Sequence, residues 1–357
     1  MSERFLLRAL SFEPRSSPQE RQFFAENSVI SNAGDFRFEM RDDILISFRT
    51  TSRRRKSHEA FILNPRCHYY FYLMDEFKVP QSLWMGGASL RQAVGIENYP
   101  FSTNDLSQIT VSKLDQIKSP LLREFPRQAL WLRGLYTEFH SELLAYLREQ
   151  GWRIFPAKPV YDFRTDSSEF ALKDAVKRDL KLMTKHSYRF DEDFWSWDAR
   201  DWSRALELYR MVYIQKHSPL NPDFRETAFS ELAALGSLEF CGIRDSSQQL
   251  VAIAAFRKHG SDFYSNPIIG YDTSLPQQLG CYRIMTAKII ERMKSQRVRF
   301  NFSSGVGEFK RRRGGIQEFE YHAVFDRHLP RLARQAFSTV NALSTTFMIP
   351  ICRWKGF

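Results

Sequence analysis

The sequence predicts an α+β protein built from two successive units, and three observations carry that prediction. Short alternating apolar and polar runs, bounded by Gly, Pro, Asn and Asp, recur along the chain and are interleaved with runs of helical spacing. A length of 357 residues leaves room for two domains of ordinary size. Hydrophobic residues make up 43% of the chain, with 31 phenylalanines, which is the composition of bulky packed cores rather than of disorder.

Residues 1–30 are mixed and polar, expected as a short helix or a loosely held arm. From position 35 the alternation Phe36 to Arg49 breaks at Asp42-Asp43, a hairpin signature. A basic stretch, Arg53 to Lys56, reads as a solvated loop or as a contact for an anion. His68 to Met74 is a candidate buried strand, and Trp84 to Gly87 a turn after it. Strands are expected at 128–135 and 152–163, around a helix over Glu138–Gln150 whose apolar residues are Phe139, Leu143, Leu144 and Leu147.

The second half opens on a basic helix capped by Ser167 or Ser168, with Leu172, Val176, Leu180 and Met183 on its apolar face. Its other face and its end carry Lys173, Lys177, Arg178, Lys181, Lys185 and Arg189. Acid first and base last suits the helix dipole, so part of this charge is structural. A helix Trp202–Lys216, capped by Asp201, leads to a proline-fixed loop at His217–Pro222 and a helix Arg225–Leu235. Strands follow at 238–244, 250–258 and 262–271, then a helix Cys281–Lys294 and strands at 298–302 and 321–325. A helical tail, Leu329–Leu343, runs on to Pro350 and to Arg353-Trp354-Lys355.

Charge and cysteine usage narrow the class. The 52 basic and 41 acidic residues give a net +11, which raises the prospect of an anionic partner but is also common on enzymes without one. Cys67, Cys241, Cys281 and Cys352 show no CxxC spacing, against a zinc ribbon or a disulfide scaffold. The first residues lack the long apolar core of a secretory signal, and no run approaches the roughly 20 apolar residues of a membrane span. A soluble, cytoplasmic protein is the expectation.

The most informative stretch is RFNFSSGVGEFKRRRGG, residues 299–315, where a short strand meets a glycine turn and four consecutive cations, Lys310 to Arg313. It is similar to the strand, glycine turn and Phe-Lys signature of the GNAT acyltransferase superfamily, in its CelD-like and FemABX-like branch. Two more passages carry the resemblance: the basic helix KDAVKRDLKLMTKHSYRF at 173–190 and the hairpin, strand and helix of 251–293. Residues 38–163 repeat the same rhythm and end in QGWRIFPAKPVYDF, which looks like the degenerate first domain of tandem-GNAT proteins. The resemblance spans roughly four fifths of the chain, and it is their combination and order, more than any single motif, that carries it. It implies two tandem GNAT-like domains, 1–165 and 166–328, each a mixed sheet flanked by helices, with 329–357 as a tail.

Function is expected from that resemblance and from the residues beside it. GNAT enzymes that use CoA carry a loop Gln/Arg-x-x-Gly-x-Gly/Ala whose backbone amides meet the pyrophosphate at a helix N-terminus. Here the loop is Gln277-Gln278-x-Gly280-x-Tyr282, and Tyr282 stands where a small residue would allow close approach. FemABX-like proteins also lack a clean loop, and their donor is an aminoacyl-tRNA. Lys310 is expected to stabilise an oxyanion or a donor phosphate, and Arg311, Arg312 and Arg313 to clamp phosphates or to face water. Glu308 and Asp272 are candidates for the base, or else turn and ion-pair residues, and His217 for a group aimed at the acceptor, or a locally bonded loop histidine. Tyr264 and Tyr271 suit either proton donation or core packing. There is no Gly-x-Ser-x-Gly, no credible catalytic Cys/His pair and no metal-ligand cluster in the sequence, so direct attack without a metal or a tightly bound cofactor is expected. The leading expectation is an N-acyltransferase that takes an acyl group from acyl-CoA or an acyl-carrier protein to a small-molecule or peptide amine. The alternatives are an aminoacyl-tRNA-dependent transferase, although the coiled-coil arm often found in FemABX proteins is not visible, and a non-catalytic basic module for RNA or anionic lipid.

Overall fold

The computed structural model describes residues 18–49 and 93–352, apart from single positions 28, 32, 34, 35, 102, 105, 107, 108, 220, 261, 262 and 351. The expectations for residues 1–17, Arg53–Lys56, Cys67, His68–Met74, Trp84–Gly87 and Arg353–Lys355 lie outside the described residues.

Helix α1 (Pro18–Glu26) precedes the hairpin β1 (Phe36–Arg41) and β2 (Ile44–Arg49), whose turn residues Asp42 and Asp43 both take the left-handed conformation that short acidic side chains tolerate. Strand β3 (Ala93–Ile96) is joined through α2 (Val111–Glu124) to β4 (Ala129–Tyr136), which it pairs in parallel. Then come α3 (Ser141–Glu149), β5 (Arg153–Phe163), α4 (Asp174–Lys185), β6 (Arg189–Asp191) and α5 (Ala199–Arg210). After α6 (Ala228–Ala234) follow β7 (Glu239–Arg244), β8 (Leu250–His259), β9 (Phe263–Tyr271), α7 (Cys281–Gln296), β10 (Arg299–Asn301), α8 (Gly307–Arg311), β11 (Ile316–Phe325) and α9 (Arg331–Leu343). No described helix is long and apolar enough to cross a membrane.

Among the described residues, eleven strands form one mostly antiparallel sheet, in the order β1-β2-β3-β4-β11-β5-β10-β9-β8-β7-β6. Read inward from β1 and from β7, the order is the same: two antiparallel neighbours, then a parallel pair joined by a helix (β3 to β4 through α2, β9 to β10 through α7). The strands that close this pattern are exchanged. β11, from the end of the chain, pairs with β4, and β5, from the first half, pairs with β10, while β5 and β11 pair with each other along most of their length. A boundary at 165 therefore separates stretches of sequence, not of sheet.

Side-chain alternation on β7 and β8 divides the core between the two faces of the sheet. Phe240, Ile253 and Ala255 pack with Tyr209, Phe229 and Leu232 from α5 and α6. Cys241, Ile243 and Ala254 pack with Ile284, Met285 and Ile289 of α7 and Val176 of α4. A third core forms around Leu114, Ile117 and Leu121 of α2 and Leu143, Leu144 and Leu147 of α3. Several local expectations shift. Helix α4 starts at Asp174, later than caps at Ser167 or Ser168 would place it, and α5 is capped by Asp198, which accepts from the amides of Arg200 and Asp201. Asp201 instead meets the Arg244 guanidinium. Helix α2 is unexpected, although Leu114, Ile117 and Leu121 keep a helical spacing and Thr110 caps it; Pro120 inside it reads as a breaker.

Candidate functional site

The site follows from how β9 is built. Asn266-Pro267 interrupts it: proline offers no amide to a ladder, and the register with β8 shifts between Ala255 and Arg257. Asn266 closes the irregularity by donating to the carbonyls of Ala255 (2.7 Å) and Ile268 (2.9 Å). The parallel partner β10 follows β9 only as far as Asn301 opposite Ser265. Beyond that point the two strands part, and a cleft of about 1130 Å³ opens at their C-terminal ends, the usual ligand side of parallel strands.

Three further elements wall the cleft. Helix α5 runs on as a π-helical turn, Met211–His217, a form often found at functional sites, and most of its residues line the opening. Gly270 allows this approach, since a Cβ there would lie 2.7 Å from the backbone of Leu208 and Tyr209. Opposite stands the N-terminus of the 16-residue α7, entered through Gly280 at φ 70°, and its first-turn amides have no partner within the helix. The last wall is the turn Phe302–Val306, which has Ser303, Gly305 and Val306 all at positive φ. For the β-branched Val306 this is a strained conformation, held by its surroundings.

Lys310 does the holding. It lies on the short helix α8 and is buried. Its Nζ donates to the carbonyls of Phe302 (2.5 Å), Ser303 (3.3 Å) and Ser304 (2.7 Å), and lies 4.7 Å from the centre of the Phe302 ring. Burial, and then the neighbouring Lys158 ammonium, push its pKa down to about 7. A trans peptide points its C=O and N–H in opposite directions. With the Ser303 and Ser304 carbonyls turned to Lys310, the amides of Ser304 and Gly305 point the other way, and neither has a partner among the described residues.

Lys158 lies at the base of the cleft, 3.5 Å from Glu320, with its pKa lowered chiefly by burial. Glu320 also accepts from the Tyr136 hydroxyl (3.1 Å), which Asn301 meets at 2.5 Å. This buried polar chain joins β4, β5, β10 and β11 across the exchanged strands. In the sequence its only trace is isolated charges inside apolar runs.

The structure gathers some of the expected site residues and disperses others. Lys310, Asp272, His217, Gln277 and Gly280 all line the cleft, as does Tyr271, whose hydroxyl accepts from Lys216 at 2.7 Å. Asp272 is engaged by Arg204 (2.5 Å) and by the Ser274 hydroxyl and amide. Burial pushes its pKa up, but these bonds outweigh burial and hold it below the usual carboxylate range. Glu308 is outside the cleft, on the exposed side of α8, where it pairs with Arg312 one turn on. Arg313 is buried, stacks 3.4 Å over the Phe309 ring and is paired with Asp179, so it is not free to clamp a ligand. Arg311 donates to the Tyr161 hydroxyl (3.1 Å), while Gln278 is exposed, and neither lines the cleft. Tyr264 packs in the core against α7.

Tyr282 decides the character of the α7 end. Its ring lies between Tyr271 (5.7 Å) and Phe309 (5.1 Å) and occupies the space between the first turn of α7 and α8. Behind it, the buried Asp179 receives both Arg283 (2.9 Å) and Arg313, which ties α4 to α7 and to the turn after α8.

No family model matches the chain, and no curated protein matches it. Solved structures do. L-PGS from Bacillus licheniformis superposes at a TM-score of 0.51 and 12% identity, over 92% of this chain and 98% of that one. The C-terminal domain of a putative lysylphosphatidylglycerol synthetase from Agrobacterium fabrum matches at 0.51 and 10% identity, over 92% and 98%. FemX matches at 0.51 and 8% identity, over 92% and 99%. The fold is GNAT-like, in its FemABX-like form. At these identities the likeness is one of fold alone.

Proposed function

We propose that the chain is an aminoacyltransferase: it accepts an aminoacyl ester from the 3′ end of a tRNA in the cleft between β9 and β10 and passes the acyl group to an amine. The observation that carries this choice of donor is Tyr282. In CoA-dependent GNAT domains the third position of the loop is small because the backbone must approach a pyrophosphate. Here a tyrosine ring fills that approach, backed by Phe309 and by the Asp179–arginine cluster. A donor that brings its ester into the cleft without seating a pyrophosphate at α7 does not need that space. The resemblance of the fold, over 92% of the chain, to FemX and to the C-terminal domain of a putative lysylphosphatidylglycerol synthetase supports the same choice.

In this proposal the acceptor nitrogen attacks the ester carbonyl carbon, the C–O bond to the ribose breaks, and the proton lost by nitrogen replaces the bond on the ribose oxygen. Charge on the carbonyl oxygen is met by the outward amides of Ser304 and Gly305. Lys310 positions those amides, and a pKa of about 7 leaves it near its midpoint at neutral pH. His217, exposed at the mouth, is the group we assign to removing the acceptor proton, since Asp272 is held by Arg204 and Glu308 lies outside. The two tandem units, 1–165 and 166–328, belong to the same proposal, with the reacting groups drawn from the second and Lys158 of the first at the base of the cleft.

A specific observation favours the other donor. Gln277 and the left-handed Gly280 open a long helix whose free amides face the cleft mouth, which suits the pyrophosphate of an acyl-CoA. Thermal unfolding with either donor separates the two, because a ligand at a hundred times its Kd adds about 2.7 kcal/mol to apparent stability. Stabilisation by bulk tRNA but not by CoA is expected. Stabilisation by CoA alone would overturn the aminoacyl proposal.

A further inference from the structure

We infer that the groove beside the cleft, walled by Arg178, Arg283 and Arg312, seats the phosphodiester backbone of the donor RNA; this inference rests on the donor proposed above. The groove, about 430 Å³, runs between α4, the start of α7 and α8, and it shares Arg283 and Phe309 with the cleft. The groove therefore lies on the far side of Arg283 and Phe309 from the cleft, so an RNA whose 3′ ester enters at the cleft mouth would have its backbone pass over the outer side of these two residues.

The cations differ in what they already do. Arg178 is exposed and has no ion pair or hydrogen bond among the described residues. Arg283 anchors its Nε on Asp179 (2.9 Å) and leaves its two terminal nitrogens without a partner among the described residues, with 44% of the side chain exposed. That is a pre-oriented guanidinium, held from behind and open in front. Arg312 pairs only with Glu308, at the surface, where such a pair is worth little and is readily exchanged for a phosphate. Lys181 and Lys185, also exposed, continue the face of α4 from Arg178 at i+3 and i+7, which extends the charge roughly 10 Å along the helix. That reach exceeds a single diphosphate and suits a run of phosphates along a polymer.

The apolar surface argues for RNA over a lipid headgroup layer. A helix that lies on a membrane buries large apolar side chains. Among the described residues the exposed ones are Val111, Phe139, Trp195, Val306, Ile316, Leu332 and Phe347, and none belongs to α4.

The test uses the whole chain and fluorescently labelled bulk deacylated tRNA, titrated by anisotropy between 50 and 200 mM salt. The variant Arg178→Ala/Lys181→Ala/Lys185→Ala changes only exposed side chains, and Arg123→Ala/Arg127→Ala/Arg148→Ala, exposed in the other half, matches its charge. Each lost phosphate contact lowers the slope of log K against log salt by roughly 0.7 to 0.9, so the α4 variant is expected to lose about 2 to 3. The control is expected to keep the wild-type slope, and Arg283→Ala to weaken binding further. Equal behaviour of the α4 variant and the control would overturn the groove and leave the donor proposal standing. Failure of the wild type to bind tRNA, with or without binding to vesicles of anionic lipid, would overturn both.

Discussion

Lys310→Met should reveal how much a buried ammonium costs this fold, and the sign follows from protonation. In the unfolded chain Lys310 keeps its proton up to about pH 10.5; in the folded protein, burial and Lys158 bring that down to about 7. Between those values the unfolded state binds more protons, so stability rises with pH by about 1.4 kcal/mol per unit, some 4–5 kcal/mol over the window. Below pH 7 both states carry the proton and the slope from this group vanishes. Methionine keeps the length of the side chain but does not titrate, so the difference between wild type and variant isolates Lys310. Urea unfolding at pH 6, 7, 8, 9 and 10 measures it. Relative to the variant, the wild type should gain stability steadily from pH 7 to 10 and stay level from 6 to 7. The variant also loses the bonds to Phe302, Ser303 and Ser304, worth about 1 kcal/mol each, which displaces the whole curve without tilting it. A difference that stays constant from pH 7 to 10 would refute the reasoning, because it would mean that the three carbonyls hold the proton as firmly as water does.

Other outcomes are open to direct measurement. Arg257→Met leaves the Glu20 carboxylate buried without its bidentate partner and should cost about 3–5 kcal/mol in urea unfolding; a loss under 1 kcal/mol would count against the buried pair that ties α1 to β8. Gly270→Ala brings a methyl group against the backbone of α5, so β9 and α5 must separate; a fall of more than about 2 kcal/mol is expected, and an unchanged melting temperature would contradict the packing. Tyr282→Ala should cost about 2 kcal/mol and create a thermal shift with CoA that the wild type lacks, whereas no gain of CoA binding would show that the ring is not what excludes it. Asp272→Asn should remove stability that the wild type has above about pH 4 and loses in acid, since its carboxyl titrates below the usual range; identical acid unfolding of the two proteins would rule that out.

Local structure was legible where period and punctuation agree. The hairpin at Asp42-Asp43, the strands of 239–271 and the helix after Gly280 lie close to where alternation, turn residues and helical spacing put them. Glu308 and Arg312 are four apart, so once α8 is a helix their pairing follows, but the glycines on both sides favoured a turn and a strand. The burial of Lys310 was hidden because nothing local marks a lysine whose acceptors are backbone carbonyls six to eight residues earlier. Arg313 and Asp179 are 134 positions apart, and the cation run masked the acid that neutralises it. Asn266-Pro267 was the overlooked clue: a proline amid a strand pattern signals that the strand loses a neighbour there.

The exchanged strands bear on how the protein is made. During synthesis β4 and β5 emerge early, yet β11, the strand that pairs with both, is complete only at residue 325. Until β10 and β11 have emerged, β4 has one unpaired edge and β5 two, on strands of Val, Ile, Leu and Trp, the kind of surface that recruits wrong partners. Closure joins segments more than 150 positions apart, the slow class of contact, so the nascent chain stays exposed for as long as the ribosome needs to reach its last strand. A chain that stopped short of β11 would therefore leave a hole in the middle of the sheet, between β4 and β5, rather than a shortened edge.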